Sequence, residues 1–452
     1  MYNFTRVKQF LSLLLLICLL LSWQPENLWA KNQCAQNNHP IKRSISKALQ
    51  ALQYDIGSND AVFITNQQGR IIFSKNAEKP LIPASTLKIL TSLVALHYLG
   101  PDYRFTTEFY MDTKANLKIK GYGDPLLISE VLAEIPKSLS AKLSIKDQRI
   151  NDLVLDDSYF IGKIIIPGKT NSLEPYDAPN GALCVNFNTV YFKLKDNSFI
   201  SAEPQTPLLP IALKKIKQSG LDKGRIVLAH AENEITLYAG HLFQYFLNKE
   251  GIKIKGKIRT GKVRKDRNNL IYYYTSQFTL KQTISKLLEH SNNFMANQIL
   301  IATGAKAFGP PGTLDKGVLA ALTYAKNVLD IDNIRLVEGS GISRENRMSA
   351  DNLHKIIEEF EPYHNLMRHS NNEYFKTGTL RGINTRVGYI KNKKGELYRF
   401  VVILNSPGKS MQNIMKNVRR IVNDESREQG VGSWELEEKK MNIEHRTFNI
   451  EF

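Results

Sequence analysis

Ile41, Ile45, Leu49 and Leu52, with Lys and Gln between them, recur at helical spacing and predict a helix over 41–53. Two short apolar runs follow, 61–65 and 71–74, joined by Gln67-Gln68-Gly69, a hairpin signal. Pro83-Ala84 then opens a strongly apolar helix from Ser85 to Leu99, closed by Gly100-Pro101. From about 105 to 240 the pattern changes to short strand-like runs broken by Gly, Pro, Asn and Asp: 117–120, 152–159, 184–194, 225–229 and 234–239. This stretch shows no repeat and predicts a mainly β insertion. Helical spacing returns at 241–249, 280–303, 313–330 and 349–360, and strands are expected at 385–390 and 398–405. Finally Met411, Ile414, Met415, Val418, Ile421 and Val422 share one helical face. The expected organisation is a mixed helix-and-sheet domain in two parts, 31–106 and 241–423, around an insertion at 107–240. A charged tail, 424–452, follows with little pattern.

The first thirty residues stand apart. Arg6 and Lys8 precede an apolar run from Phe10 to Leu21, then polar residues, Pro25 and Leu28-Trp29-Ala30. That is the layout of a removable signal peptide, 1–30, and the run is shorter than the ~20 residues needed to span a bilayer. Export to the periplasm or cell envelope is expected, with no permanent membrane span.

The 452 residues are 42% apolar and 23% charged, which excludes a disordered or fibrous chain. A formal charge of +18 favours anionic partners, and 252–267 is the densest basic stretch. In an exported chain without a nucleic-acid motif this reads as a solvated face, and no nucleic-acid partner is expected. Beyond the leader only Cys34 and Cys184 remain, which leaves their pairing open. No Cys-x-x-Cys occurs and the nine histidines are scattered, so neither a metal nor a cofactor is expected.

Candidate chemistry begins with Ser-x-x-Lys. A lysine three residues after a serine shares its helix face and can act as its base. The spacing occurs at Ser44/Lys47, Ser85/Lys88 and Ser406/Lys409. Only Ser85 opens a helix apolar enough to be buried, where desolvation would hold Lys88 as a neutral amine. Read alone, Ser85 is more readily a helix cap than a nucleophile. Two further elements change that. Lys376-Thr377-Gly378-Thr379 occurs once and suits an edge strand whose Lys and Thr meet a substrate carboxylate. There Gly378 would let a backbone approach closely, and the next N–H would serve an oxyanion hole. Ser291-x-Asn293 precedes an amphipathic run, although His-Ser-Asn-Asn occurs at both 290–293 and 369–372. The first copy is preferred, because Ser291 stands at the start of a helix while Ser370 leads into the strand carrying Lys376.

In this order the three elements resemble the penicilloyl-serine transferases. Gly121-Tyr122-Gly123-Asp124-Pro125, Asp156-Asp157-Ser158-Tyr159-Phe160, 175–183 and Asn186-Phe187-Asn188 resemble segments of one branch. That branch is the D-Ala-D-Ala carboxypeptidase/endopeptidase family typified by penicillin-binding protein 4. Glu338-Gly339-Ser340-Gly341-Ile342-Ser343 resembles its Asp-Gly-Ser-Gly-Leu-Ser segment, and the long interval from Ser85 to Ser291 is typical of it. Where many relatives carry an aromatic-acidic stretch after Pro-Gly, this chain has Lys169-Thr170-Asn171-Ser172-Leu173-Glu174.

The resemblance implies an α/β (α+β) fold, a transpeptidase-like domain with an antiparallel sheet flanked by helices, interrupted by the insertion. It implies Ser85 as nucleophile, Lys88 as base, Ser291 as proton relay and Asn293 as an orienting group. Lys376, Thr377, Gly378 and Thr379 would bind substrate. The implied partners are peptidoglycan peptides, with β-lactams as covalent inhibitors. A serine β-lactamase shares the motifs but not the insertion segments. An inactive wall-peptide scaffold would be expected to have lost one of the three elements.

Overall fold

The computed structural model describes residues 40–424 apart from 144–149, 229 and 232. The expected leader, Cys34 and the tail beyond 424 lie outside the described residues, and with them the question of a Cys34–Cys184 pair. Helix α1 (Pro40–Asp55) is followed by the antiparallel hairpin β1 (Asp60–Thr65) and β2 (Ile71–Lys75). A single 3-10 turn, Ala84–Leu87, leads into α2 (Lys88–Leu99). The α-helix thus begins three residues later than its apolar pattern implies, because the chain enters through Pro83 and a left-handed Ala84 (φ 48°). Every residue from Lys88 to Leu96 is buried, which is why α2 shows no polar face.

The insertion follows as β3 (Thr106–Met111), β4 (Leu117–Gly121), α3 (Ser129–Leu143) and β5 (Leu153–Asp156). Then come β6 (Thr189–Lys195), β7 (Ser198–Ser201), α4 (Pro210–Ser219) and β8 (Lys223–Val227). It ends with α5 (Glu234–Lys249), β9 (Ile258–Thr260) and β10 (Asn269–Thr275). Five strands in the order β10-β3-β4-β5-β9 form one sheet, and β7-β6-β8 form a second. Phe109, Ile119, Leu132, Leu155, Phe192 and Phe243 belong to a core of their own that joins both sheets to the three helices.

Several expectations need correction here. Residues 234–239, expected as a strand, are the start of α5. Ile235, Tyr238, Ala239, Leu242, Phe243 and Phe246 follow helical spacing once the run is read through 249. The strand expected at 184–194 begins only at Thr189, since Asn186, Phe187 and Asn188 all have positive φ (49°, 58° and 56°). The one expected at 152–159 stops at Asp156. Helices α3 and α4 were not expected; Pro136 inside α3 hides its periodicity, although Pro210 and the left-handed Gly220 bracket α4. Because β9 and β10 lie past residue 240, we propose to draw the insertion as 106–275.

The chain returns through α6 (Leu280–His290), α7 (Asn293–Phe308), α8 (Leu314–Leu329) and α9 (Ala350–Phe360). The helical spacing over 280–303 is carried by two helices, divided at Ser291-Asn292. Strands β11 (Arg368–Ser370), β12 (Glu373–Leu380), β13 (Ile383–Lys391) and β14 (Leu397–Leu404) complete an antiparallel sheet in the order β11-β12-β13-β14-β1-β2. Helix α9 packs on β14 and β1, while α6, α7, α8 and α9 all contact α2. This is the expected antiparallel sheet flanked by helices. Phe160, Ile166, Ala178, Ala182 and Cys184 from the insertion join the core built around α2 rather than the insertion's own core. A helix over 411–424 follows. By compactness the chain divides into two units: the smaller holds α1, 392–394 and 412–424, and the larger holds 56–391 and 395–411. Within the smaller unit Ser44 Oγ donates to Asp424 Oδ2 (2.6 Å).

Candidate active site

The 3-10 turn that carries Ser85 is held from several sides. Thr86 Oγ1 and Thr385 Oγ1 both donate to Pro83 O (2.7 and 3.0 Å). Left-handed backbone at Ala84 costs ~1–2 kcal/mol, so such a turn persists only where its surroundings over-determine it. Two glycines make that packing possible. A Cβ on Gly341 would lie 1.9 Å from Ala84 O, and one on Gly378 would lie 2.7 Å from Ser85 N. Gly378 was expected to admit a substrate backbone; the backbone it admits here is that of the Ser85 turn itself.

One turn on, the Lys88 side chain is wholly buried. Its Nζ lies 2.9 Å from Ser85 Oγ, 2.8 Å from Asn293 Oδ1 and 2.6 Å from Ser340 O. Desolvation holds its pKa well below that of a free lysine, and the Lys376 charge lowers it further. A neutral amine has two N–H donors and one lone pair. Asn293 Oδ1 and the Ser340 carbonyl can only accept, so the lone pair is left for the Ser85 hydroxyl. All three partners also satisfy an ammonium once the proton has moved.

Ser291 does not open a helix, as expected, but closes α6 in a left-handed conformation (φ 53°). Asn292 caps α7, its Oδ1 accepting from Met295 N (3.0 Å). Asn293, the first residue of α7, is thereby aimed at Lys88. Lys376 Nζ donates to Ser291 Oγ (2.8 Å) and to Thr377 O (2.7 Å). Burial, and to a lesser degree Arg368, lowers its pKa to about 8.

Lys376 sits on β12, whose outer edge is covered by β11 only at Glu373–Phe375. From Lys376 to Leu380 that edge has no strand partner among the described residues. Strand alternation buries Lys376 and Gly378 and exposes Thr377 and Thr379. Of these four, Thr379 lines the cavity beside Ser85, Ser291 and Asn293. This cavity of about 760 Å³ is also bounded by Gly168, Thr170, Tyr176 and Asp177 from the insertion and by Arg344 and Arg381.

The other two Ser-x-x-Lys pairs are built differently. Lys47 is exposed on α1, and Ser406 and Lys409 lie outside any helix. In the second His-Ser-Asn-Asn copy, Ser370 is exposed on β11.

Sequence reasoning missed the network that presents Ser340 O to Lys88. Glu338 is fully buried, and its carboxylate accepts from Ser340 N and Oγ (both 2.6 Å), Gly341 N (2.7 Å) and Asn346 Nδ2 (2.7 Å). Asn297 donates to it (3.2 Å) and accepts from Gly339 N (2.7 Å), while Thr91 Oγ1 donates to Gly339 O (2.6 Å). A carbonyl contact has no residue signature. The available signals were the i, i+4 pair Asn293/Asn297 and a lone acid in a Gly-Ser-rich loop.

The sequence pattern of the D-Ala-D-Ala carboxypeptidase 3 (S13) family matches residues 42–220 and 218–372. The match spans Ser85, Lys88, Ser291 and Asn293 and stops before Lys376. A D-alanyl-D-alanine carboxypeptidase of Actinomadura sp. strain R39 is 25% identical over 432 residues, 79% of each chain. The D-alanyl-D-alanine carboxypeptidase DacB of Haemophilus influenzae is 24% identical, over 77% of this chain and 86% of that one. The crystal structure of penicillin binding protein 4 (dacB) from H. influenzae superposes with a TM-score of 0.69 at 20% identity. It covers 83% of this chain and 99% of that one.

Proposed function

This chain belongs to the D-Ala-D-Ala carboxypeptidase 3 (S13) family, and from that premise we propose that Ser85 is its acylated nucleophile and Lys88 the base. The protein is a serine-type D-Ala-D-Ala carboxypeptidase/endopeptidase, a hydrolase of peptidoglycan peptides. The observation that carries the residue assignment is the buried Lys88 amine, shared between Ser85 Oγ, Asn293 Oδ1 and Ser340 O.

Ser85 Oγ bonds to the carbonyl carbon of the penultimate D-Ala as its proton passes to Lys88. The N–H groups of Ser85 and Thr379 receive the developing oxyanion. The C–N bond then breaks, and the departing amine takes a proton by way of Ser291, with Lys376 beside it. Water releases the acyl group. Lys376, with Thr377 and Thr379, draws the terminal carboxylate to the uncovered edge of β12. A β-lactam follows the first step and stalls, because its leaving group stays tethered. The H. influenzae protein has been solved in complex with a β-lactam.

No described helix is long and apolar enough to cross a membrane. With the N-terminal leader and a wall-peptide substrate, we assign the protein to the periplasm or cell envelope.

Intact-mass measurement after benzylpenicillin, followed by peptide mapping, tests the assignment. One adduct is expected, on Ser85. An adduct on Ser44 or Ser406, or none on folded protein, overturns it.

A further inference from the structure

The loop after Pro167-Gly168 carries a charge that the reaction above does not use. Lys169 is half-buried. It donates to Ala178 O and to Asn180 Oδ1 (3.3 Å). Asn180, itself buried, donates to Phe294 O (2.9 Å) and to Gln298 Oε1 (3.0 Å). Gln298 returns a bond to Gly181 O (2.6 Å). Phe294 and Gln298 are on α7, whose first residue is Asn293, the partner of Lys88. On the other side, Gly168 and Thr170 flank Lys169 in sequence and line the cavity. The lysine therefore ties the insertion's cavity wall to the helix that orients the base.

Its charge matters as well. A half-buried ammonium with a carbonyl and an amide for partners is poorly compensated. Burial lowers its pKa to about 8, opposed by the charges of Glu338 and Asp177. Around Lys88, the charges of Lys376 and Lys169 act against protonation, and that of Glu338 acts for it.

We propose that Lys169 is a positioning residue for acylation: through Asn180 it fastens the 168–178 wall to α7, and so holds Asn293 against the Lys88 amine. The proposal rests on Lys88 being the base.

The test is the pH profile of acylation by a chromogenic cephalosporin, for wild type, Lys169→Met and Lys169→Arg, each checked for folding by circular dichroism. In wild type the rate should rise with pH as Lys88 loses its proton. In Lys169→Met the rising limb should move to higher pH, a loss of roughly 3- to 10-fold in rate on the limb, with the plateau retained. Lys169→Arg, which keeps the charge, should keep the limb. An equal loss at every pH, or an unmoved limb, overturns the proposal, since a structural role alone would not shift the limb. Should Lys169→Met not fold, Lys169→Gln, which keeps a donor for Ala178 O, takes its place under the same criteria. If wild type shows no adduct on Ser85, the assignment of the base fails first and takes this proposal with it.

Discussion

His-Ser-Asn-Asn occurs twice in this protein, and the two copies do opposite things. At 290–293 it joins two helices: Ser291 closes α6 with a left-handed backbone, Asn292 caps α7 and Asn293 reaches Lys88. At 369–372 it makes a hairpin: His369 and Ser370 pair with Tyr374 and Glu373, while Asn371 and Asn372 turn the chain with positive φ (49° and 62°). Asparagine suits both places, since it caps helices and tolerates the left-handed region that a two-residue hairpin needs. What separates the copies is their neighbours. The first lies between two buried lysines, whereas Ser370, Asn371 and Asn372 are exposed. A short motif therefore specifies local geometry well and chemistry only through what the fold brings beside it.

The comparison can be broken most sharply at the lysine that gives the first copy its role. Lys88→Ala should lower the acylation rate by ~10²- to 10⁴-fold, because it removes the proposed base. Stopped-flow acylation by a chromogenic cephalosporin measures this, and a wild-type rate would show that another group takes the proton.

Testing the copies against each other should give the next largest effect. Ser291→Ala is expected to reduce turnover of a peptide ending in D-Ala-D-Ala by ~10²-fold, and Ser370→Ala to leave it within error. The reverse pattern would move the proton relay to the second copy.

Lys376 sharpens the contrast in substrate binding. Removing one partner of a buried charged hydrogen bond costs ~2–5 kcal/mol, so Lys376→Ala should cut kcat/KM for the free-carboxylate peptide by at least about thirtyfold. Its C-terminal amide should lose clearly less. Equal losses on both substrates would remove the carboxylate-anchor role and leave the contact with Ser291.

The smallest effect belongs to the second copy and concerns stability alone. Asn371→Ala should cost ~1–2 kcal/mol, since alanine resists the left-handed region, while Asn372→Gly should be nearly neutral. Chemical denaturation reads the difference, and peptidase activity of both variants should stay at the wild-type level. Loss of activity in either would mean that the hairpin does more than turn the chain.

Legibility differed between elements for identifiable reasons. The apolar run of α2 is readable because a helix buried all round has no polar face to interrupt it. The hairpin at 61–74 and the strands at 385–405 announce themselves through bounded apolar runs. Start and stop were harder: a positive φ at Ala84 or across 186–188 is set by contacts from distant segments, and neither place has a glycine to mark it. In the insertion, β9 is only three residues long, β10 lies past the expected boundary, and their partners β5 and β3 are far away in sequence.

By itself, the sequence determined the residue types and spacings on which the site depends. Ser85 and Lys88 three residues apart, Ser291 with Asn293, and a single Lys-Thr-Gly-Thr are local facts, and helix and strand periods turn them into local geometry. Tertiary structure decided which Ser-x-x-Lys and which His-Ser-Asn-Asn gain partners. It also brought in groups that no motif names: the Ser340 carbonyl, the Glu338 carboxylate that holds it, and the half-buried Lys169. The physical reason is that desolvation and charge act through space. Burial and the Lys376 charge disfavour a proton on Lys88, and both depend on segments hundreds of residues apart packing around one helix.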